Sequence, residues 1–197
     1  RGMSGKKGRV VWQHDPRAVR YNGEGMWWED QNTDQGLVYK MMSDGMKNLT
    51  DTSTDKDAWD ALFKHFNGGT GYSEGEKIAI KINLNCAGTD DDNDIDASQH
   101  SVLALLVSLI NEAGIPGKYV TVYDATQNRK YMRGKIPKRI YNYCTAPKGE
   151  LFNVNWISSY ADEGIGEKSL TENVLHYSVT EENLCGRQIP HCVKNAK

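Results

Sequence analysis

A strictly alternating stretch, KIAIKINLN at residues 77–85, constrains the fold of this 197-residue chain more than any other feature. Its apolar side chains recur at every second position, at Ile78, Ile80, Ile82 and Leu84. Because successive side chains of a strand point to opposite faces, the pattern predicts a strand with one face against a core and one polar face.

The next segment predicts a helix capped by Asp96 or Ser98 and running to about Ala113. It is apolar around most of its circumference and leaves only a narrow polar stripe at Ser101, Ser108, Asn111 and Glu112. Such a helix is typical of a buried crossover. Gly114 ends it, and YVTVYD at 119–124 predicts a second strand. A strand, a helix and a strand at this spacing predict a right-handed βαβ unit with parallel strands.

The remaining elements are weaker in pattern. We expect strands at 8–13, 151–157 and 175–179, a helix from Asn32 or Thr33 to about Leu49, a helix opened by Thr54, and a short helix from Pro137. A long loop at 14–30, pinned by Trp27 and Trp28, is of a length typical of loops that are functional or cover something. The methionines of the first helix fit core packing better than a cofactor site.

Taken together, these elements predict one α/β domain over residues 1–197, with a mostly parallel sheet and helices packed on both faces.

Charge and hydropathy exclude several classes of partner. With 24 basic and 26 acidic residues the net charge is −2, which argues against a nucleic-acid surface. No apolar run approaches the roughly 18 residues of a membrane span.

Four cysteines occur without a C-x-x-C pair. A disulfide between Cys185 and Cys192 is one interpretation if the protein is exported, and unrelated thiols are the other.

Parallel sheets bind ligands beyond the carboxyl ends of their strands. The residues predicted at that edge are Lys81, Asn83, Asn85, His100 and Asp124. Here Lys81 would supply positive charge and the asparagines would orient an anion, while Asp124 would act as a base or metal ligand and His100 as a ligand or proton carrier. The alternative is that Lys81 and the asparagines lie on a solvated face.

An acidic loop between the first strand and the crossover helix offers oxygen ligands for calcium, at Asp90, Asp92, Asp94 and Asp96. It lacks the glycine and the distal glutamate of an EF-hand, so the alternative is a solvated charge run in which Asp96 caps the helix. The chain has no G-x-S-x-G elbow and no phosphate-binding P-loop. The absence of these motifs argues against a serine hydrolase and against a nucleotide hydrolase.

Three segments, KIAIKINLN, NEAGIPGKYV and the strand ending in YDAT, resemble the bacterial and archaeal domain of unknown function numbered three hundred and sixty-two. The shared elements are Lys81-Ile82-Asn83, the turn Glu112-Ala113-Gly114, and Asp124. The opening GRVVWQHDP and the MWWED loop look like an exported subgroup with a twin-arginine leader. The resemblance implies an α/β fold, an N-terminal half of a longer family member, and in some members an iron–sulfur domain, for which this chain has no cysteine run.

Two functions remain open from the sequence. The first is an exported, periplasmic or extracellular α/β protein that binds a small anionic ligand or a metal ion at the strand edge, in the setting of a redox enzyme. The alternative is a non-catalytic structural or interaction subunit of an extracellular assembly or homo-oligomer. The ten tyrosines, five tryptophans and long tryptophan-containing loop fit such a contact surface. No cofactor is specified by either.

Overall fold

The computed structural model describes residues 8–83, 93, 97–123, 153–157, 170–175 and 187–190. Two helices precede the first strand, a third helix separates it from the second strand, and the remaining strands follow, in a mixed α/β arrangement. The helices are α1 (Gln35–Thr50), α2 (Asp55–Phe66) and α3 (Gln99–Val107), and the strands are β1 (Ile78–Lys81), β2 (Val120–Tyr123), β3 (Asn155–Ile157), β4 (Leu170–Leu175) and β5 (Arg187–Pro190).

Strands β1, β2 and β3 form a small parallel sheet in that order. The register pairs Ile80 with Val122 and Val122 with Trp156. Helix α3 lies between β1 and β2 in the sequence, as the alternating strand and the apolar helix predicted. A separate antiparallel pair joins β4 to β5. The mixed α/β class with a parallel sheet is therefore confirmed.

The core forms where α3 packs on the sheet. Leu106 and Leu109 of the helix segment and Val120 and Val122 of β2 are fully buried, and Trp156 of β3 is 3% exposed. Burying an apolar side chain of this size stabilises the fold by about 1.5–3 kcal/mol. The prediction that the helix after the first strand is buried is confirmed.

Helix α3 continues from Ser108 to Glu112 as a π-helical turn and ends at Gly114, which adopts a positive φ of 78°. A glycine has no Cβ to clash in this left-handed conformation, so it ends the helix without strain. Together the two segments cover 99–112, close to the predicted helix that ends at about Ala113, and of the two expected caps, Asp96 and Ser98, the cap is Ser98. The polar stripe differs from the prediction at one position, because Ser108 is only 3% exposed.

The first two helices begin at side-chain caps. Thr54 accepts a hydrogen bond from the backbone N–H of Asp57 and opens α2 as predicted. Helix α1 is capped by Asp34, which accepts from the N–H of Leu37, and not by Asn32 or Thr33. The helix starts later because Thr33 pairs in an isolated β-bridge with Val19, and the Asn32 carbonyl accepts from the N–H of Arg20.

The strand predicted at 8–13 is wrong. Residues 9–15 form neither helix nor strand and run beside the carboxyl-terminal half of α1. Arg9 donates to the terminal carbonyls of Asn48 and Leu49, while Val10 is 87% exposed and Trp12 is 81% exposed. The alternation of side chains is real, but α1 and not a neighbouring strand covers the inner face.

The other predicted elements lie only partly within the residues that the structure describes. Strand β3 lies inside the predicted 151–157. Strand β4 shares only Leu175 with the predicted strand at 175–179, whose remaining residues, like the helix from Pro137, lie outside the described residues. Within the described part of the chain, no helix is long and apolar enough to cross a membrane.

Candidate functional site

Three of the predicted site residues, Lys81, Asn83 and His100, lie within the described residues. The other two edge residues, Asn85 and Asp124, lie outside them, as do the four aspartates of the predicted calcium loop, Asp90, Asp92, Asp94 and Asp96, and all four cysteines. The described part of the candidate site thus comprises the end of β1 and the start of α3.

The carboxyl end of β1 is polar and solvated. Lys81 is its last residue, and both Lys81 and Asn83 are exposed, whereas Ile82 between them is buried. The Lys81 ammonium donates to the backbone carbonyl of Ile82 and to Oδ1 of Asn83, the latter across 3.3 Å. The amine is thus held at the end of the strand and does not extend away from it.

A backbone hydrogen bond brings the start of α3 to this strand end. The N–H of Ala97 donates to the carbonyl of Asn83 across 2.9 Å. Ser98 follows at once as the N-cap of α3, and its side chain accepts from the N–H of Ser101. His100 lies in the first turn of the helix, so the structure brings Asn83 and His100 to one corner of the fold.

His100 is buried at this corner beside a carboxylate. Its side chain is 1% exposed, and Nε2 lies 3.5 Å from Oδ1 of Asp30, whose own side chain is 56% exposed. The backbone carbonyl of His100 accepts from Nε2 of Gln35 across 3.0 Å, which ties the turn to α1. A carboxylate beside an imidazole orients the ring, an arrangement used to carry protons or to support a bound ion.

Asp30 comes from the long loop that follows residue 14. This loop makes three further contacts, one to the start of α3 and two to Asn93, which precedes that helix in the sequence. The carbonyl of Trp28 accepts from Nε2 of Gln99, the N–H of Trp27 donates to Oδ1 of Asn93 across 2.9 Å, and Nδ2 of Asn93 donates to the hydroxyl of Tyr21 across 3.0 Å. The loop therefore covers the beginning of α3, which agrees with the expectation that a loop of this length covers something.

Sequence reasoning did not identify Asp30. The residue lies 70 positions before His100 and belongs to no periodic segment or motif. The available signal was the length of the loop together with its tryptophans, which indicated a functional loop but no single residue.

Metal ligands do not converge in the described part of the chain, where no group of three or more His, Cys, Asp or Glu side chains could hold an ion. The described corner thus offers one ammonium, one amide, one imidazole and one carboxylate, from Lys81, Asn83, His100 and Asp30. Lys81 and Asn83 are exposed and can contact an anion, whereas His100 is buried and lies beside the Asp30 carboxylate.

Comparison of the chain with protein-family profiles, curated proteins and solved structures gave no match. The resemblance to the domain of unknown function numbered three hundred and sixty-two thus stays a prediction from sequence.

Proposed function

We propose that this chain is an exported α/β protein that binds a small anionic ligand or a metal ion at the carboxyl edge of its parallel sheet. The observation that carries the proposal is the placement of buried His100 3.5 Å from the Asp30 carboxylate, in the turn joined to the end of β1. Parallel sheets bind ligands at this edge, so a buried imidazole beside a half-exposed carboxylate here supports a ligand site.

Each residue has a separate role in the proposal. Lys81 supplies the charge that attracts an anion, and the amides of Asn83 and Asn85 orient it. His100 exchanges a proton with the ligand while Asp30 holds the ring in one orientation. Asp124, which follows the end of β2, acts as a base or as a metal ligand, and the site belongs to a redox enzyme.

The proposal also includes the finer architecture. A right-handed crossover through α3, with helices on both faces of the sheet, would place the ends of β1 and β2 side by side at one edge. The residues after both strands would then face the same ligand. Export would permit a disulfide between Cys185 and Cys192, and the aspartates at 90, 92, 94 and 96 would bind calcium beside the site.

Phosphate binding measured by isothermal titration calorimetry tests the site. Lys81→Ala should weaken binding of inorganic phosphate by roughly tenfold or more, because a charge-assisted hydrogen bond contributes about 1.5–3 kcal/mol. Lys77→Ala is the matched control, since Lys77 is exposed on the same face at the opposite end of β1. Equal phosphate affinity in the two variants, or no phosphate binding by the wild type, would sink the anion proposal.

Native mass spectrometry tests the metal arm on the protein purified from its source. A mass excess lost on denaturation, and absent from His100→Asn, would support a metal ion at this corner. An excess that survives in His100→Asn would place the ion elsewhere.

A second candidate function rests on the exposed apolar residues beside α1. Val10 is 87% exposed, and Trp12 is 81% exposed and stacks on His14 with ring centroids 5.3 Å apart. Exposed aromatic side chains are enriched at protein interfaces, which favours a subunit of an assembly. Sedimentation velocity over a range of concentrations should then show a multiple of the chain mass that Trp12→Ala reduces to the monomer. A monomer at every concentration would contradict this candidate.

A further inference from the structure

A cavity of about 630 Å³ lies beside α1, and none of Lys81, Asn83, His100 or Asp30 lines it. One wall is the α1 face on which Val38, Met41, Met42, Met46 and Leu49 recur at helical spacing. The facing wall comes from the segment between Val11 and Thr33, and the first turn of α3 contributes Ser98 and Ser101. The volume falls within the range of roughly 300–1,000 Å³ typical of small-molecule sites.

The methionine stripe lines this cavity and does not fill the core. Met41, Met42 and Met46 are each half-buried, and the buried cluster around α3 and the sheet contains none of them. The interpretation of the stripe as core packing was therefore incomplete, because the helical spacing marks a covered face without showing what covers it. Methionine is flexible and polarisable, so a wall built from it adapts to ligands of different shape.

The lining carries no formal charge. Its polar members are amide, hydroxyl and phenol groups, from Gln13, Thr33, Ser98, Ser101 and Tyr21, and every other lining side chain is apolar or a glycine. An ion placed here would lose its hydration without gaining a countercharge, which costs several kcal/mol. A neutral molecule loses much less, and its oxygen or nitrogen atoms can pair with the hydroxyl and amide groups.

Gly45 keeps the cavity open at the centre of the stripe. It occupies the position between Met42 and Met46 where a side chain would project into the space, and a Cβ added there would lie 3.4 Å from Cγ of Gln13. Glycine inside a helix costs about 1 kcal/mol relative to alanine. At this position the missing side chain leaves room between α1 and the segment that covers it.

We propose that this cavity binds a neutral, mostly apolar small molecule of about drug size. The volume sets its size, the methionine and valine walls set its apolar character, and the uncharged lining sets its neutrality. This site lies on the other side of the first turn of α3 from the anion site, and none of Lys81, Asn83, His100 or Asp30 lines it.

The probe for the test is N-phenylnaphthylamine, a neutral fluorophore, titrated into the full chain beside its anionic relative anilinonaphthalene sulfonate. The neutral probe should bind about tenfold or more tightly than the sulfonate. Gly45→Leu should abolish binding of the neutral probe, because the leucine side chain occupies the cavity. The melting temperature of this variant should be equal to or above that of the wild type, because leucine favours a helix more than glycine does.

Gly36→Leu is the matched control, since Gly36 also lies in α1 but is exposed and does not line the cavity. It should leave probe binding unchanged. Equal probe binding in Gly45→Leu and Gly36→Leu would overturn the proposal, as would tighter binding of the sulfonate. Loss of a dimer in Gly45→Leu, with no probe binding by the wild type, would show that a second copy of the chain fills the cavity and would also overturn it. Phosphate binding should be the same in both glycine variants, so that failure of this proposal is distinct from failure of the anion site.

Discussion

The hydroxyl of Ser108 donates a hydrogen bond to Oδ2 of Asp55 across 3.0 Å and so links the end of α3 to the first residue of α2. The same carboxylate accepts from the hydroxyl of Ser43 on α1 through Oδ1, across 2.6 Å. The indole Nε1 of Trp59 donates to Oγ of Ser108 across 3.0 Å. Three helices thus meet at one carboxylate, and every link is a side-chain hydrogen bond.

Removal of the Ser108 hydroxyl should destabilise the fold. Ser108→Ala leaves the Trp59 N–H and one Asp55 oxygen without this partner in a site that is 3% exposed, so we expect a loss of about 1–3 kcal/mol in the free energy of unfolding. Urea denaturation followed by tryptophan fluorescence measures it. Ser101→Ala is the control, because Ser101 lies on the same helix with an exposed side chain and should change stability by less than about 0.5 kcal/mol. Equal effects of the two substitutions would show that the hydrogen bonds to Ser108 contribute nothing.

Loss of the α2 cap should have a smaller but measurable effect. The Thr54 hydroxyl donates to the Asp57 carboxylate across 2.7 Å and accepts from the N–H of the same residue. Thr54→Ala should cost about 1 kcal/mol in the free energy of unfolding, because an N–H of the first turn loses its partner. The exposed neighbour Ser53 provides the control, and Ser53→Ala should leave the urea midpoint close to that of the wild type. A Thr54→Ala midpoint equal to that of Ser53→Ala would contradict the capping role.

Truncation of the core should separate buried from exposed apolar residues. Leu106 is fully buried, and Leu106→Ala should cost about 2–5 kcal/mol through lost burial and the cavity left behind. Phe66 is larger but 80% exposed, so Phe66→Ala should cost less than about 0.5 kcal/mol. Thermal unfolding by circular dichroism compares the two. A larger loss for Phe66→Ala would mean that this ring is covered in solution.

Acid titration should reveal a perturbed carboxyl near the start of the chain. Hydrogen bonds from the Arg17 side chain and backbone N–H lower the pKa of Asp15 from 3.8 to about 2. Because the pKa is lower in the folded state, the pair favours folding above pH 3.8, and its contribution is lost as the pH falls towards 2.

The pKa of Asp15 can be followed by NMR of its side-chain carboxyl carbon. Arg17→Ala should return the pKa towards 3.8, since the guanidinium hydrogen bonds are the largest cause of the shift. Arg20→Ala should leave it unchanged, because Arg20 pairs with Asp34 and not with Asp15. A midpoint near 3.8 in the wild type would refute the pairing in solution.

The local elements followed from the sequence because their signals are local. The alternation in 77–85 predicted β1, the apolar helix predicted the buried α3, and Thr54 with Asp57 predicted the start of α2. The same reasoning placed a strand at 8–13, where the structure has none, since alternating side chains mark a half-buried segment whether a sheet or a helix covers it. It also placed the cap of α1 at Asn32 or Thr33, one or two residues before the actual cap at Asp34. The reason is that the bridge between Val19 and Thr33 is a tertiary contact, which no local pattern shows.

The candidate site was predicted only in part, because some of its contacts follow from the topology of the sheet and others depend on tertiary packing. Lys81, Asn83 and His100 could be assigned to one edge because parallel strands and their crossover helices meet there by topology. Burial of His100 and the approach of Asp30 depend on how a loop 70 residues away folds over the start of α3.

The sequence by itself determined helices α1 to α3, strands β1 to β3 and the burial of α3, because backbone periodicity and capping act over a few residues. Only the tertiary structure decided which carboxylate faces His100, that Ser108 binds Asp55 in place of solvent, and that the methionines of α1 line a cavity. These contacts join segments separated by tens of residues, and their free energy depends on packing that no local pattern encodes.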